Sequence, residues 1–280
     1  MSDPPTQEPV REAVPVKPAA TVMLVRDRDP DDGGDVGADV GADAGADAGT
    51  DAGADAESGG IEVFMLRRTL NAVFGSGMYV FPGGKVETHD GEDVERAHRL
   101  AAIRECFEEA GVLLARDASG ATVTDGHPAL AHRVGVHAGD VDLLALCDEH
   151  GLVPAVDELA WVAHWITPKG EGARRFDTRF YLAPAPAGQH SEHDDNETIA
   201  SMWVTPSDAL ARARAGELTM MPPTVANLEF LAGFGTVAEA MAHARELPPP
   251  PCILPKIVFV DGRIAGIKLP GDPGYDDIQD

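Results

Sequence analysis

Phe81-Pro-Gly-Gly-Lys-Val-Glu87 and Arg104-Glu-Cys-Phe-Glu-Glu-Ala-Gly-Val112 are the two phrases that decide the fold of this 280-residue chain. The first phrase predicts a glycine turn after an apolar strand, because glycine lets the backbone approach a neighbour or a ligand closely. The second predicts the end of a helix that is centred on residues 97–110 and stops at Gly111, since many helices end on a left-handed glycine. Together they predict a strand, a turn and a helix in one unit.

Three glutamates of the second phrase indicate metal chemistry. Residues that are three or four positions apart share one face of a helix, so Glu105, Glu108 and Glu109 project together. Like charges at this spacing repel unless a cation lies between them, and carboxylate oxygens suit Mg²⁺ or Mn²⁺. An ordinary solvated acidic face is the alternative interpretation of these residues. The glycine turn upstream favours the metal site over that alternative.

Together the two phrases resemble the Nudix box, whose usual form is G-x5-E-x7-R-E-U-x-E-E-x-G-U, where U is bulky and apolar. Its positions are filled here by Gly84, Arg104, Glu105, Phe107, Glu108, Glu109, Gly111 and Val112. The resemblance implies a Nudix-type α/β/α sandwich with a mixed sheet. It also implies a metal-dependent enzyme that hydrolyses a nucleoside diphosphate linked to another moiety.

The chain departs from the family pattern at the first glutamate of the box. Six residues after Gly84 stands Asp90, and thirteen residues separate Asp90 from Arg104 where the family has seven, so the box carries a six-residue insertion. In the family the first glutamate is usually a structural partner of the box arginine. Asp90 and Glu92 are both candidates for that role, and the sequence leaves open whether either takes it.

An interrupted box resembles the Nudix branch related to the peroxisomal coenzyme A diphosphatases of animals. Four further phrases agree with that branch: Met65-Leu-Arg-Arg68, Ile103 to Leu114, Trp165-Ile-Thr-Pro168 with Arg174-Arg-Phe-Asp-Thr178, and Leu269-Pro-Gly-Asp272. The resemblance implies hydrolysis of coenzyme A or acyl-coenzyme A to 3′,5′-ADP and 4′-phosphopantetheine. ADP-ribose, NADH and oxidised nucleotides are alternative substrates. A non-catalytic nucleotide-sensing module is the alternative of another class, because fold alone does not fix function.

The resemblance implies a role for each box residue. Glu105, Glu108 and Glu109 would hold Mg²⁺ or Mn²⁺ with help from the Gly84 carbonyl oxygen. Arg104 would orient the carboxylates by salt bridges.

The general base of the family is either a box glutamate or a glutamate on a later loop. Glu197 lies in such a loop, just before the predicted strand that leads to Trp203. One more solvated acid in an acidic loop is the alternative interpretation of Glu197.

Four arginines are candidates for phosphate contacts, because the guanidinium presents a planar fork to phosphate oxygens. They are Arg67, Arg68, Arg174 and Arg175. Each of them can instead be a surface charge. Because Arg175 and Asp177 lie two apart on a predicted strand, a structural pairing of these two side chains is a further alternative.

The composition of the chain limits which partners and which cellular location are expected. The net charge of −25 disfavours nucleic acid and anionic membranes, and a small-molecule nucleotide diphosphate is the expected partner. Residues 27–60 hold eleven acids and one base, so −10 of the net charge belongs to this segment and −15 to the rest of the chain.

The sequence also bears on the location of the protein, because no apolar run approaches the roughly 18–20 residues of a membrane helix. No signal peptide is expected, and three scattered cysteines favour a cytoplasmic protein. The oligomeric state is left open.

The predicted organisation is an α/β (α+β) chain in three parts. Residues 1–19 are a disordered tail, residues 20–247 are the Nudix domain, and residues 248–280 are a Pro-rich linker with a C-terminal β-hairpin. An acidic low-complexity loop is inserted at residues 28–60 between two neighbouring strands. The region from about 113 to 160 is expected to supply walls for a groove that holds a pantetheine arm.

Overall fold

The structure is a computed structural model that describes residues 14–29, 60–70, 75–170, 174–194, 197–260 and 263–278. The predicted acidic loop lies outside the described residues except at its edges, and so does the predicted tail before residue 14. The predicted Asp261-Gly262 turn also lies outside them.

Runs of strands are separated by helices along the described chain. The strands are β1 (Val16–Asp27), β2 (Ile61–Arg68), β3 (Tyr79–Val80), β4 (Gly83–Lys85), β5 (Ala115–Arg116), β6 (Val153–Pro154), β7 (Ala160–Ile166), β8 (Arg175–Pro184), β9 (Thr198–Val204), β10 (Cys252–Ile253), β11 (Lys256–Val260) and β12 (Arg263–Lys268). The helices are α1 (Val94–Ala110), α2 (Arg133–His137), α3 (Leu143–Glu149), α4 (Pro206–Arg214), α5 (Pro222–Leu231) and α6 (Val237–Glu246).

A mixed eight-stranded sheet forms the central layer, in the order β10-β7-β8-β1-β2-β3, with β4 also paired to β1 and β9 to β2. β1 is parallel to β8 and antiparallel to β2. Along β1, Val22 and Leu24 pack in the core that contains α1, whereas Met23 and Val25 pack in the core that contains α4, α5 and α6. Alternate residues of a strand face opposite sides, so all four residues from Val22 to Val25 are apolar because helices cover both faces. This arrangement confirms the predicted α/β/α sandwich.

The predicted boundary of the N-terminal tail at residue 19 is wrong. β1 begins at Val16, and Val16, Lys17, Pro18 and Ala19 pair with β8 from Arg175 to Thr178. Lys17 and Pro18 led the sequence analysis to assign this stretch to a solvated tail. Only the ladder of hydrogen bonds to a strand about 160 residues away orders it, and a local pattern does not contain that partner.

The box helix α1 has well-defined ends. The Asp93 side chain accepts a hydrogen bond from the Arg96 N–H, which caps the first turn. At the other end Gly111 is left-handed (φ 72°) and its N–H donates to the Phe107 carbonyl oxygen, as the sequence predicted. Cys106 is buried, and burial raises the pKa of its thiol.

Candidate active site

Arg104 lies at the centre of the site on the buried face of α1. Its Nε and Nη2 donate to the two carboxylate oxygens of Asp90 at 3.0 and 3.1 Å. Its Nη1 donates to Glu105 Oε1 at 2.9 Å and to Glu108 Oε1 at 3.1 Å. Nη2 also donates to the Lys85 carbonyl oxygen at 2.8 Å, which ties α1 to β4. Each of the three guanidinium nitrogens of Arg104 therefore has at least one hydrogen-bond acceptor.

Asp90, and not Glu92, is the acid that pairs with the box arginine. Asp90 ends a short 3-10 helix (Thr88–Asp90), is 3% exposed, and also accepts a hydrogen bond from the Glu87 N–H at 2.8 Å. Glu92 is exposed. Since α1 already begins at Val94, ten residues before Arg104, the inserted residues form the first turns of that helix.

The three box glutamates sit in surroundings that disfavour their charge. Burial raises the pKa of Glu105 and Glu108 above the usual carboxyl range, and Arg104 opposes the shift at both. Burial and then the charge of Glu105 raise the pKa of Glu109, whose Oε2 accepts a hydrogen bond from the Gly83 N–H at 2.9 Å. Clustered, desolvated carboxylates gain most from a neighbouring cation, because the low local dielectric strengthens each attraction.

The donor chemistry of this cluster fits a hard divalent cation, which takes oxygen ligands. As placed, Glu105 and Glu108 share one guanidinium nitrogen of Arg104. Within the described residues, no three acidic, imidazole or thiol side chains surround a common point. A cation would therefore compete with Arg104 for these oxygens.

Glycine is required at both positions of the turn that faces the glutamates. A Cβ atom at Gly84 would lie 2.7 Å from Glu105 Oε2, and one at Gly83 would lie 2.7 Å from the Ala20 carbonyl oxygen. Real Cβ atoms do not approach neighbours so closely, so any side chain here would push β4 away from β1 or displace Glu105. The predicted close approach of this turn is thus directed at the carboxylate cluster.

A cleft of about 940 Å³ opens over the glutamates. Its lining combines the polar residues Glu105, Glu108 and Glu109 with the apolar residues Trp165, Ile166, Phe176, Pro222, Pro255 and Ile267. The volume is in the range of a cofactor-sized ligand, and apolar walls with a few polar groups are typical of such sites. A molecule with a diphosphate and a long arm would match this combination.

The apolar walls of the cleft do not come chiefly from the region that the sequence analysis favoured. Only Val136 to Gly139, Val141 and Asp142 of the 113–160 region line the cleft. Most of the other apolar lining belongs to β1, β3, β7, β8, the start of α5 and the C-terminal extension. Residues 113–160 instead build the core under α1 through Leu113, Leu114, Leu146 and Leu152.

Three of the predicted site residues outside the box line the cleft: Arg68, Arg174 and Glu197. The Arg68 guanidinium lies 3.6 Å from the Glu197 carboxylate, and the Glu197 charge contributes to the raised pKa of all three box glutamates. The Glu197 side chain keeps 55% of its surface exposed.

The structure does not place Arg67 and Arg175 in the cleft. Arg67 lies over the Tyr79 ring at 5.9 Å, whereas Arg68 lines the cleft; the pairing of β2 with β9 shifts register between these two residues. Arg175 is buried and its Nε donates to the Thr167 carbonyl oxygen at 2.9 Å. The alternative pairing of Arg175 with Asp177 is not formed either, since Asp177 contacts His164 at 2.5 Å.

One positioning residue was missed by the sequence analysis. Arg133, the first residue of α2, donates from Nε to the Glu108 carbonyl oxygen at 3.0 Å and from Nη2 to the Glu192 carbonyl oxygen at 2.9 Å. It thereby joins the end of α1 to the loop that carries Glu197. No local spacing reveals this contact, since the two partners lie 25 and 59 residues away.

Comparison with known proteins identifies relatives of the chain. The profile of a family described as the NUDT19 Nudix domain matches residues 91–231. A Gallus gallus protein named acyl-coenzyme A diphosphatase NUDT19 is 31% identical over 201 residues, which cover 65% of this chain and 53% of that protein. Its Homo sapiens namesake is 32% identical over 197 residues, 66% of this chain and 52% of that protein. The chain thus spans about half the length of these relatives.

A solved structure agrees with the sequence relatives. The crystal structure of a NUDIX hydrolase from Alicyclobacillus acidocaldarius shares 26% sequence identity with the chain. It superimposes with a TM-score of 0.64 over 82% of this chain and 96% of its own length. The match therefore includes most of the sandwich described above.

Proposed function

This chain belongs to the Nudix hydrolase family, and from that premise we propose that it hydrolyses the diphosphate of coenzyme A or of an acyl-coenzyme A. The products are 3′,5′-ADP and 4′-phosphopantetheine or its acyl form. The observation that supports the proposal is the cleft, whose lining combines the carboxylates Glu105, Glu108 and Glu109 with apolar side chains. The names of the Gallus gallus and Homo sapiens relatives support the same substrate class.

Glu105, Glu108 and Glu109 would hold Mg²⁺ or Mn²⁺, together with the Gly84 carbonyl oxygen. Such an ion would neutralise phosphate charge and lower the pKa of a water that attacks phosphorus. The role of Arg104 in this proposal is to orient Glu105 and Glu108, to which it donates hydrogen bonds, rather than to contact substrate. Asp90 in turn fixes Arg104 through two hydrogen bonds.

Glu197 is our candidate for the general base. It lines the cleft at the glutamate end, and it keeps enough exposure to reach a water molecule. Arg68 lies beside it and is our candidate for a phosphate contact, because its guanidinium faces the same end of the cleft. Arg174 is exposed, also lines the cleft and is a second candidate. We do not include Arg67 and Arg175 among the substrate-binding residues, because neither lines the cleft.

The location of the protein is inferred from composition. None of the described helices combines the length and apolar character needed to span a bilayer. All three cysteines, Cys106, Cys147 and Cys252, are free thiols. We propose a cytoplasmic enzyme with a small-molecule substrate on the basis of these thiols and the acidic charge.

The deciding experiment compares kcat/KM for coenzyme A, dephospho-coenzyme A, NADH and ADP-ribose under one Mg²⁺ condition and again under Mn²⁺. Coenzyme A or an acyl-coenzyme A is expected to lead. A tenfold lead for NADH or ADP-ribose, about 1.4 kcal/mol of transition-state binding, would contradict the coenzyme A assignment. Absence of any phosphomonoester product with either metal would favour the nucleotide-sensing alternative.

A further inference from the structure

The loop that carries Glu197 is docked on the end of the box helix. The Glu192 N–H donates to the Ala110 carbonyl oxygen at 3.0 Å, and Arg133 joins the carbonyl oxygens of Glu192 and Glu108. Ala110 is the last residue of α1, which also carries the three box glutamates. The start of the loop therefore has a defined place relative to the carboxylate cluster.

Both backbone polar groups of Glu197 form hydrogen bonds. The Glu197 N–H donates to Asp194 Oδ2 at 3.2 Å. The Glu197 carbonyl oxygen accepts a hydrogen bond at 3.0 Å from the N–H of Thr69, the residue that follows Arg68 at the end of β2. The candidate base is thus joined to the end of a neighbouring strand and to a side chain of its own loop.

Asp194 closes the turn that leads from this loop into β9. Its Oδ1 accepts hydrogen bonds from the Thr198 N–H at 3.0 Å and from the Thr198 hydroxyl at 2.7 Å, while its Oδ2 accepts the one from Glu197. The Asp194 side chain is only 5% exposed, and Thr198, the first residue of β9, is buried. Aspartate stabilises turns in this way, by accepting hydrogen bonds from the backbone a few residues later.

His137 of α2 is a second neighbour of the Asp194 carboxylate. Its Nε2 lies 3.8 Å from Asp194 Oδ2, which is too far for a hydrogen bond, and His137 lines the cleft. Asp194 itself does not line the cleft, so its influence on the reaction is indirect. Glu197, to which Asp194 is hydrogen-bonded, has the closer contact of the two cleft residues.

We propose that Asp194 is the positioning residue of the general base, because its carboxylate fixes the backbone from which the Glu197 side chain reaches the attacking water. The inference rests on the proposed function, since it takes Glu197 as the base. A displacement of about 1 Å at a catalytic group can lower a rate by about 10²-fold, so the hydrogen bond from Glu197 to Asp194 affects turnover. Substrate binding depends on other residues and is left nearly unchanged.

The test is a double-mutant cycle of Asp194→Asn and Glu197→Gln, measured as kcat for coenzyme A at saturating Mg²⁺. The amide in Asp194→Asn keeps one acceptor oxygen, which serves the two donors of Thr198, and presents an NH2 group to the Glu197 N–H. This change alone should lower kcat about 10- to 100-fold and leave KM within about threefold. In the Glu197→Gln background it should lower kcat by less than about twofold, because the base that Asp194 positions is already absent.

Asp117→Asn is the matched control for the change of aspartate to asparagine in a turn. Asp117 accepts hydrogen bonds from the Ser119 N–H, the Ser119 hydroxyl and the Ala121 N–H, so it closes an exposed turn in the same way. It does not line the cleft. Asp117→Asn should therefore keep the wild-type kcat, and it should keep the kcat of Glu197→Gln when the two changes are combined.

The cycle separates positioning of the base from the rival roles of Asp194. A role in folding alone, or one through His137, would lower kcat by the same factor with and without Glu197, and that additive result would overturn the inference. A wild-type kcat in Asp194→Asn would overturn it as well. A wild-type kcat in Glu197→Gln would remove Glu197 as the base and Asp194 with it, while hydrolysis of coenzyme A would stand. Failure of the wild type to hydrolyse coenzyme A or its thioesters would instead remove the proposed function.

Discussion

Arg104 Nε lies 3.0 Å from Asp90 Oδ1, inside a box whose usual glutamate is absent and whose spacing is six residues too long. The shorter acid reaches the arginine because the 3-10 helix Thr88–Asp90 brings its carboxylate under α1. The six added residues lengthen the N-terminal part of α1, and the contact between Arg104 and Asp90 is kept. An insertion can thus interrupt the sequence pattern and leave the arginine fully paired.

We predict that Asp90→Asn lowers both stability and activity. The change removes the anionic partner of Nε and Nη2 but leaves Glu105 and Glu108 beside Arg104, so the free energy of unfolding should fall by about 1.5–3 kcal/mol, as for the loss of a buried hydrogen bond to a charged group. Because Arg104 also orients Glu105 and Glu108, kcat/KM should fall at least tenfold. Denaturant unfolding and steady-state kinetics check both. Glu92→Gln is the control and should match the wild type; an equal effect of the two variants would assign no special role to Asp90.

Glu108→Gln and Glu109→Gln should each weaken Mg²⁺ and Mn²⁺ binding and lower turnover by orders of magnitude, because each removes a charged oxygen ligand. The metal-free Glu109→Gln protein should be no less stable than the wild type, since burial disfavours the charged carboxylate. Calorimetric metal titration and thermal unfolding measure these effects, with the exposed Glu246→Gln as control. Full activity of both variants at limiting metal would refute the metal-site assignment.

Glu197→Gln should lower kcat about 10²–10⁴-fold while metal affinity is retained, because loss of a general base affects the chemical step. Glu192→Gln is the matched control, as it removes an exposed acid from the same loop that does not line the cleft. Rapid-quench and steady-state assays at saturating metal give kcat. A decrease of less than tenfold would transfer the role of base to a box glutamate.

Arg68→Gln should lower kcat/KM about 10- to 100-fold, as expected for the loss of a charge-assisted hydrogen bond of about 1.5–3 kcal/mol. Arg67→Gln, one residue earlier on β2, should remain within about threefold of the wild type because that side chain lies against Tyr79. Both variants are compared by steady-state kinetics with coenzyme A. An equal decrease of kcat/KM in the two variants would show that disturbance of β2, and not loss of a phosphate contact, causes the effect.

Deletion of residues 34–59 should leave kcat/KM within about twofold and the melting temperature within a few degrees. Loop-closure entropy varies slowly with loop length. The flanking backbone is also already joined, since the Arg28 N–H donates to the Gly60 carbonyl oxygen at 2.7 Å. Differential scanning calorimetry and the coenzyme A assay measure the outcome. A large loss of activity would reveal a functional element in this acidic segment.

The sequence by itself determined the features that depend on short-range periodicity. Helix spacing placed Glu105, Glu108 and Glu109 on one face, and Gly111 ended α1 where predicted. The hairpin pattern near the C-terminus predicted the pairing of β11 with β12. Each of these follows from residues a few positions apart, whose geometry the backbone fixes locally.

The tertiary structure alone decided which distant residues meet. It selected Asp90 over Glu92, separated Arg68 from Arg67, and extended β1 back to Val16 through pairing with β8. It also showed that most of the apolar lining of the cleft comes from outside the 113–160 region, including β7, β8 and the C-terminal extension. These outcomes depend on which faces are buried when the sheet forms, and burial is a property of the whole packed chain that no local spacing encodes.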